Sequence, residues 1–329
     1  MRPYLTIWTF MLAIYMIFGF SAPQTAQAAE GAGSNYYPGT YGDIAVAMQP
    51  PPGSFTVINY LGYVSTKIDR TVLNGKASVN VDIQQVFDSP LGLYTFKTPV
   101  LGGALFSAGG WLAFPWASLD ATVVTPIGSA QTSQTNYGIG QSGLIPAYLT
   151  WKLGGDFSLA VYEAVYIPLG QYSTTNPLNL NRGYFSFDTN VALTWFHEKS
   201  GTEFSADAGL MANTVNPYTH YQTGNEFHLE YVVNQFVNKH VSVGLHGYYY
   251  QQVTNDRVGP STAAALNLLN LSASSLSSRS NGLGPQVNLV VNDNLIFAFS
   301  WIHDLYDHYR MPSDYFYLNT YIIFDTKGN

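Results

Sequence analysis

The sequence predicts an all-β protein, a transmembrane antiparallel β-barrel of about twelve strands with an N-terminal lumenal or plug segment. Three observations predict it. Along Tyr315 to Phe324, Phe316, Leu318, Ile322 and Phe324 share one face, and Tyr315, Tyr317, Asn319 and Tyr321 share the other. Successive strand side chains point to opposite faces, so this alternation suits a strand between lipid and a wet lumen. The links between such stretches alternate short and long along the chain. Charged residues are only 10% and aromatics 15%, whereas soluble domains carry about 25% charged residues. Much of this surface therefore does not face water.

Residues 1–28 read as a secretory signal peptide. Arg2 supplies the positive start, Tyr4 to Phe20 is uncharged, and Ala26-Gln27-Ala28 is a small-x-small cleavage site. An uncleaved anchor is the alternative, since the apolar run reaches the short end of a spanning helix, about 17 residues. Losing Arg2 takes the formal charge from −7 to −8, which argues against nucleic acid as a partner. The chain has no Cys, so disulfides and thiolate metal sites are excluded. No later apolar run is long enough for a helix to cross a membrane, so a membrane location requires a closed barrel.

Residues 29–53 do not read as a strand. Pro38 and Pro50-Pro51-Pro52 lack the donor a sheet ladder needs. The segment is either a plug inside the barrel or a periplasmic tail, and the Tyr-rich start with the apolar piece Ile44–Met48 favours the plug. Strands follow over about 54–66, 77–97, 103–125, 140–153, 156–169, 183–198, 202–214, 224–237, 240–254, 282–292, 295–307 and 313–324. The barrel thus occupies 54–324, and 325–329 is a C-terminal tail.

Short links fall at Thr98–Gly102, Gly154-Gly155, Lys199–Gly201, Asn238-Lys239 and Asp293-Asn294. Long ones fall at Lys67–Lys76, Pro126–Ile139, Gln171–Arg182, Val215–Thr223, Asn255–Asn281 and Asp307–Pro312. Short periplasmic turns and long extracellular loops sort in this way when both ends of the barrel are periplasmic. Ser261–Ser280 is a low-complexity stretch within the longest of these loops.

Individual strands assign their faces. Phe187, Val191 and Leu193 oppose Asp188, Asn190 and Thr194, and Phe227, Leu229 and Val233 oppose Glu226, His228 and Glu230. Ile145, Ala147, Leu149 and Trp151 read as one apolar face against Tyr148 and Thr150. Glu163 interrupts the apolar face of Leu159, Val161 and Val165, which suggests a bulge nearby. Phe114, Trp116, Trp195 and Trp301 suit interfacial girdles.

Candidate chemistry is sparse. His303, Asp304, Asp307 and His308 are metal-ligand types, but His303 and Asp307 lie opposite Asp304 and His308 on a strand, so they read as a solvated loop edge. His240 and Ser242 form a His-x-Ser pair without a third orienting group, so they read as a turn and a strand start. No catalytic, metal or cofactor site is assigned. The candidate substrate path along the lumen comprises Tyr36, Tyr37 and Tyr41 of the N-terminal segment and Asp188, Glu226, His228, Glu230, Tyr248 and Tyr250 of the wall. Tyrosine rings suit apolar ligands with a polar edge. Asp82, Lys152, Glu203 and Asp207 are expected to face the lumen as well. Packing and internal ion pairing are the competing roles for all of these side chains.

Several motifs recur together: N-Y-Y-P-G-T-Y-G-D at 35–43, P-P-P-G at 50–53, T-P-V-L-G-G at 98–103, Y-I-P-L-G-Q-Y at 166–172, G-N-E-F-H-L-E-Y at 224–231 and G-L-H-G-Y-Y-Y-Q-Q at 244–252. In order and spacing the chain resembles a family of outer-membrane transporters associated with the MetA pathway of phenol degradation. It departs from the family near His303–Tyr309. The resemblance implies a barrel of the hydrophobic-compound uptake type whose N-terminal segment serves as a hatch. The expected function is passive, non-enzymatic uptake of small hydrophobic compounds, aromatic ones included, across a Gram-negative outer membrane. The expected partners are outer-membrane lipid, small hydrophobic solutes and the barrel-assembly machinery; the oligomeric state stays open. A general diffusion porin or structural barrel is the alternative, and an outer-membrane hydrolase a more distant one.

Overall fold

Alternating apolar and polar side chains can be accommodated together only if each strand separates two environments, and a sheet does this without exposed edges by closing on itself. The computed structural model describes residues 33–48, 50–72, 77–125, 128–259 and 277–325. The signal sequence, most of Ser261–Ser280 and the tail beyond 325 lie outside the described residues. Fourteen strands form one antiparallel sheet: β1 (Ser54–Val72), β2 (Ala77–Thr95), β3 (Leu105–Trp111), β4 (Phe114–Thr125), β5 (Gly128–Tyr137), β6 (Ser142–Gly154) and β7 (Phe157–Ile167). The remainder are β8 (Ser186–His197), β9 (Thr202–Asn213), β10 (Glu226–Asn238), β11 (Val241–Gln252), β12 (Arg279–Asn292), β13 (Leu295–His308) and β14 (Ser313–Asp325). β1 pairs with both β2 and β14, from Ser54↔Asp325 to Thr66↔Ser313 on the latter side, and this closes the ring.

The ring has twelve staves, because two of them are interrupted. β3 and β4 both pair with β2, at Leu91–Thr95 and Ser78–Asp88, and are two halves of one stave broken at Leu112–Ala113. β5 pairs with β4, and β6 with β3 and β7, so they form the next stave, broken at 138–141. Gly138, at φ 150°, permits the second break, and the Gly140 N–H bonds across it to the Ala113 carbonyl at 2.8 Å.

Two sequence expectations change here. Pro126–Ile139 was expected to be a loop, yet it contains β5, which extends the wall at its outer end. Its sequence, G-S-A-Q-T-S-Q-T-N-Y, carries no apolar alternation because most of both faces is exposed. Ile145 was expected on the lipid face but is buried inside, at 8% exposure. The β6–β7 register skips from Leu144↔Val165 to Ala147↔Glu163 around Pro146, and this bulge reverses the phase. Glu163 sits opposite the bulge on the outward face, where its carboxylate accepts the Thr189 hydroxyl at 2.6 Å.

Elsewhere the alternation holds. Phe187, Val191 and Leu193 are exposed at 46, 48 and 39% while Ser186, Asp188 and Asn190 are fully buried. The longest links, 168–185, 214–225 and 253–278, gather at the end where β1 meets β2, taken as extracellular. At that end, however, β1 runs on through most of the expected link Lys67–Lys76, and the β4–β5 link is only 126–127. The other end carries tight turns and the longer 96–104 link. Residues 33–53 run through the lumen from the outer end to the start of β1 at the inner end. The interior is packed by Tyr36, Tyr41, Tyr162, Tyr166, Tyr248, Tyr250 and Tyr317.

Candidate functional site: a lumen divided by its N-terminal segment

One half of the lumen wall is acidic. On β10, Glu226, His228 and Glu230 occupy alternate positions and therefore one face. Their ladder neighbours are Tyr250 and Tyr248 on β11 and Asp207 on β9. His228 Nε2 lies 3.0 Å from Asp188 Oδ1 on β8, and His246 Nε2 lies 3.1 Å from Glu230 Oε2. Gly209 makes room for the first pair, since a Cβ there would stand 2.1 Å from His228 Nε2. Buried carboxylates need partners of this kind, because an unpaired charge out of water is strongly unfavourable.

The N-terminal segment supplies most of the remaining partners. Glu230 accepts the Tyr36 hydroxyl at 2.8 Å, the Gly39 N–H at 2.8 Å and the Tyr41 N–H at 3.1 Å. Glu226 accepts the Ser34 hydroxyl at 2.6 Å and the Tyr250 hydroxyl at 2.9 Å. Tyr41 donates to Asp188 at 2.6 Å and also bonds to Tyr166. Asp43 accepts from Asn319 at 2.6 Å and Tyr321 at 2.8 Å, and its other oxygen lies 3.5 Å from His246 Nδ1.

Further in, Ala45 N–H donates to Glu203 at 2.5 Å and Ala47 N–H to Thr194 at 3.0 Å. Tyr36 stacks on His228 with ring centroids 4.3 Å apart, and on Tyr250 at 5.8 Å. Gly39, at φ 87°, abuts Tyr317 so closely that a Cβ would lie 2.4 Å from its ring. The conformation and the close approach both require glycine there.

The other half of the wall meets the segment at scattered points, where Tyr37 donates to Gln85 at 2.7 Å and Tyr148 to the Val46 carbonyl at 2.7 Å. Between them lies a cavity of about 610 Å³. Leu178, Leu180 and Arg182 line its outer end; Tyr37, Tyr41, Phe87, Ile145, Tyr148 and Tyr162 its middle; Val46, Met48, Phe196, Phe236 and Ile323 its inner end. Most of this surface is apolar or aromatic, contributed by β1–β7, the segment itself and the β7–β8 link, with Phe196, Phe236 and Ile323 closing the inner end.

Among the expected path residues, Tyr37 and Tyr41 line this cavity. Tyr36, Asp188, Glu226, His228, Glu230, Tyr248 and Tyr250 lie behind the segment, in the contacts that hold it. Asp82 does not face the lumen: it pairs with Lys67 at 3.3 Å on an exposed face, while its neighbours Val81 and Ile83 pack inward against the Ala117–Leu178 cluster. Asp43, His246 and Arg182 were missed by sequence reasoning. Only the position of Asp43 in the N-Y-Y-P-G-T-Y-G-D motif offered a signal. His303 pairs with Asp314 at 2.9 Å, and Asp304 turns inward to Tyr248 and the Ser313 N–H. His240 contacts the Val290 carbonyl at 2.8 Å, and Ser242 accepts from Asn288 at 2.9 Å, so neither partners the other.

The sequence profile of the family described as "Putative MetA-pathway of phenol degradation" matches residues 68–320. The fold is similar to that of the COG4313 outer membrane channel from Pseudomonas putida F1, with a TM-score of 0.62 and 11% identity, covering 88% of this chain and 100% of that one. A FadL homologue of Pseudomonas aeruginosa matches at a TM-score of 0.38 and 10% identity, covering 93% of this chain and 99% of that one. No curated protein matches the sequence.

Proposed function

From a chain that belongs to the family described as "Putative MetA-pathway of phenol degradation", and whose fold is that of an outer-membrane β-barrel channel, we propose passive, non-enzymatic uptake of small hydrophobic compounds, aromatic ones included. The observation that carries this reading is the division of the lumen. The acidic half of the wall is engaged by the N-terminal segment, and what remains is an apolar gap of about 610 Å³ against β1–β7. Such a gap favours solutes with a large apolar part over small hydrated ions, since most of its lining cannot replace the water an ion would lose. Tyr37 and Tyr41 face it with rings that suit apolar ligands carrying a polar edge.

In this reading Asp188, Glu226, His228, Glu230, Tyr248 and Tyr250 act on the path indirectly, by fixing the segment that forms one of its sides. The protein reaches the membrane through the barrel-assembly machinery, and lipid contacts its outward apolar face. Conductance in planar bilayers, combined with uptake of toluene or benzyl alcohol by intact cells with and without the protein, tests the proposal. Small ohmic conductance with protein-dependent, saturable uptake supports it. Large conductance with equal passage of sugars and aromatics would establish a general diffusion porin instead.

A further inference from the structure

We propose that the cavity prefers small aromatic acids, with the ring in the apolar gap and the anionic head group held by Arg182 at the outer mouth. This rests on the uptake reading above and narrows its solute class.

The charges facing the cavity are unevenly placed. Its ionisable lining outside the tyrosines consists of Arg182 at the outer end, Lys239 at the inner rim and Glu203. Glu203 is already engaged, accepting from Ala45 N–H, from Ser205 at 2.7 Å and from Asn234 at 3.1 Å. The wall carboxylates Asp188, Glu226 and Glu230 are turned to the segment and to histidines. Neither Arg182 nor Lys239 pairs with a carboxylate among the described residues, and of the two only Arg182 is half-buried. Arg182 thus places a positive charge at the outer end of the gap, although the protein carries a net formal charge of −7.

Arg182 is also held in place. Its carbonyl accepts from Asn216 at 3.1 Å, and Asn181 beside it donates to the Gln171 carbonyl at 3.0 Å and accepts the Gly183 N–H at 2.8 Å. The guanidinium rests over Gly33, where a Cβ would stand 1.8 Å from Nη2; any other residue at 33 would displace it. A half-buried guanidinium among apolar groups is poorly screened, and its planar fork matches a carboxylate in two-point contact. Trp111 and Tyr166, edge to face with centroids 5.0 Å apart, line or border the same gap and supply aromatic surface for a ring.

The test is the affinity of the purified full-length protein in detergent for benzoate, benzyl alcohol, benzylammonium and glycerol at pH 7, measured by ligand-observed NMR. Benzoate should bind about tenfold more tightly than benzyl alcohol, as expected for one charge-assisted contact. Benzylammonium should bind more weakly than either. Arg182→Gln should erase the benzoate preference, Arg182→Lys should keep part of it, and Arg182→Glu should shift preference to benzylammonium. Heat-modifiable migration on gels shows that each variant is a folded barrel. If benzoate gains nothing over benzyl alcohol, or the ratio survives Arg182→Gln, the head-group assignment is overturned. If benzyl alcohol binds no better than glycerol, the uptake reading itself fails, so the two failures are distinguishable.

Discussion

Glu230 concentrates more of the segment's anchorage than any other described residue of the wall. It accepts three bonds from Tyr36, Gly39 and Tyr41 and faces His246 at 3.1 Å. Glu230→Ala leaves His246 and two backbone N–H groups buried without that acceptor. Removing one partner of a buried charged pair costs roughly 3–5 kcal/mol. The expected outcome is a lower unfolding midpoint together with raised single-channel conductance, as the segment loosens. A stability loss with unchanged conductance would show that Glu230 supports the wall alone. The lipid face gives a contrasting residue. Val191 lies mid-strand on the outward face, 48% exposed, and Val191→Arg should cost about 2–4 kcal/mol if it lies at the bilayer midplane. Val237→Arg, at the inner rim of β10, should cost about 0–1 kcal/mol. Equal folding yields of the two in bilayers would refute the depth assigned to Val191.

At the scale of elements, β8 and β10 were legible in the sequence because each keeps a period of two over most of its length. β5 was not, because a strand wet on both faces carries no hydrophobic period. The inward turn of Ile145 was hidden by the bulge at Pro146, since a single skipped residue reverses every later side chain. Pro38 and the 50–52 prolines did mark 29–53 as unable to join the sheet, and Tyr36, Tyr37 and Tyr41 marked it as an aromatic surface. What it docks against was out of reach, because Tyr36 and Glu230 are 194 residues apart and Asp43 and Asn319 are 276 apart. Local patterns carry no information about such pairings. β1 begins at Ser54, and among the described residues no strand ladder includes 35–48. Deleting Asn35–Met48 should therefore leave a heat-modifiable barrel in the membrane. Conductance should rise several-fold, and the preference for apolar over polar solutes should fall. An assembled deletion with wild-type conductance and preference would mean that the segment does not border the path.

For the whole molecule, the direction in which the segment runs matters as much as its position. It enters at the end where β1 meets β2 and leaves at Ser54, so Arg182 and Ser34 mark one mouth of the lumen and Lys239 the other. The parity of link lengths assigns the first mouth to the cell exterior, because periplasmic turns are short and extracellular loops long. The closing strand supports the same sense, since β14 descends from Ser313 to end beside Ser54. In this orientation solutes meet the Arg182 end first and leave past Met48 and Lys239. The absence of cysteine from the chain makes the orientation directly measurable. Tyr218, 58% exposed in the link between β9 and β10, and Lys239, exposed in the turn between β10 and β11, are each replaced by cysteine. A maleimide on a polyethylene glycol too large to cross porins should label Tyr218→Cys on intact cells. It should label Lys239→Cys only after the outer membrane is permeabilised. Both sites lie outside the ladder, so neither substitution disturbs assembly, and labelling reports sidedness alone. Reversed labelling would invert the barrel, placing Arg182 at the exit and requiring the order of entry to be rewritten from the Lys239 end.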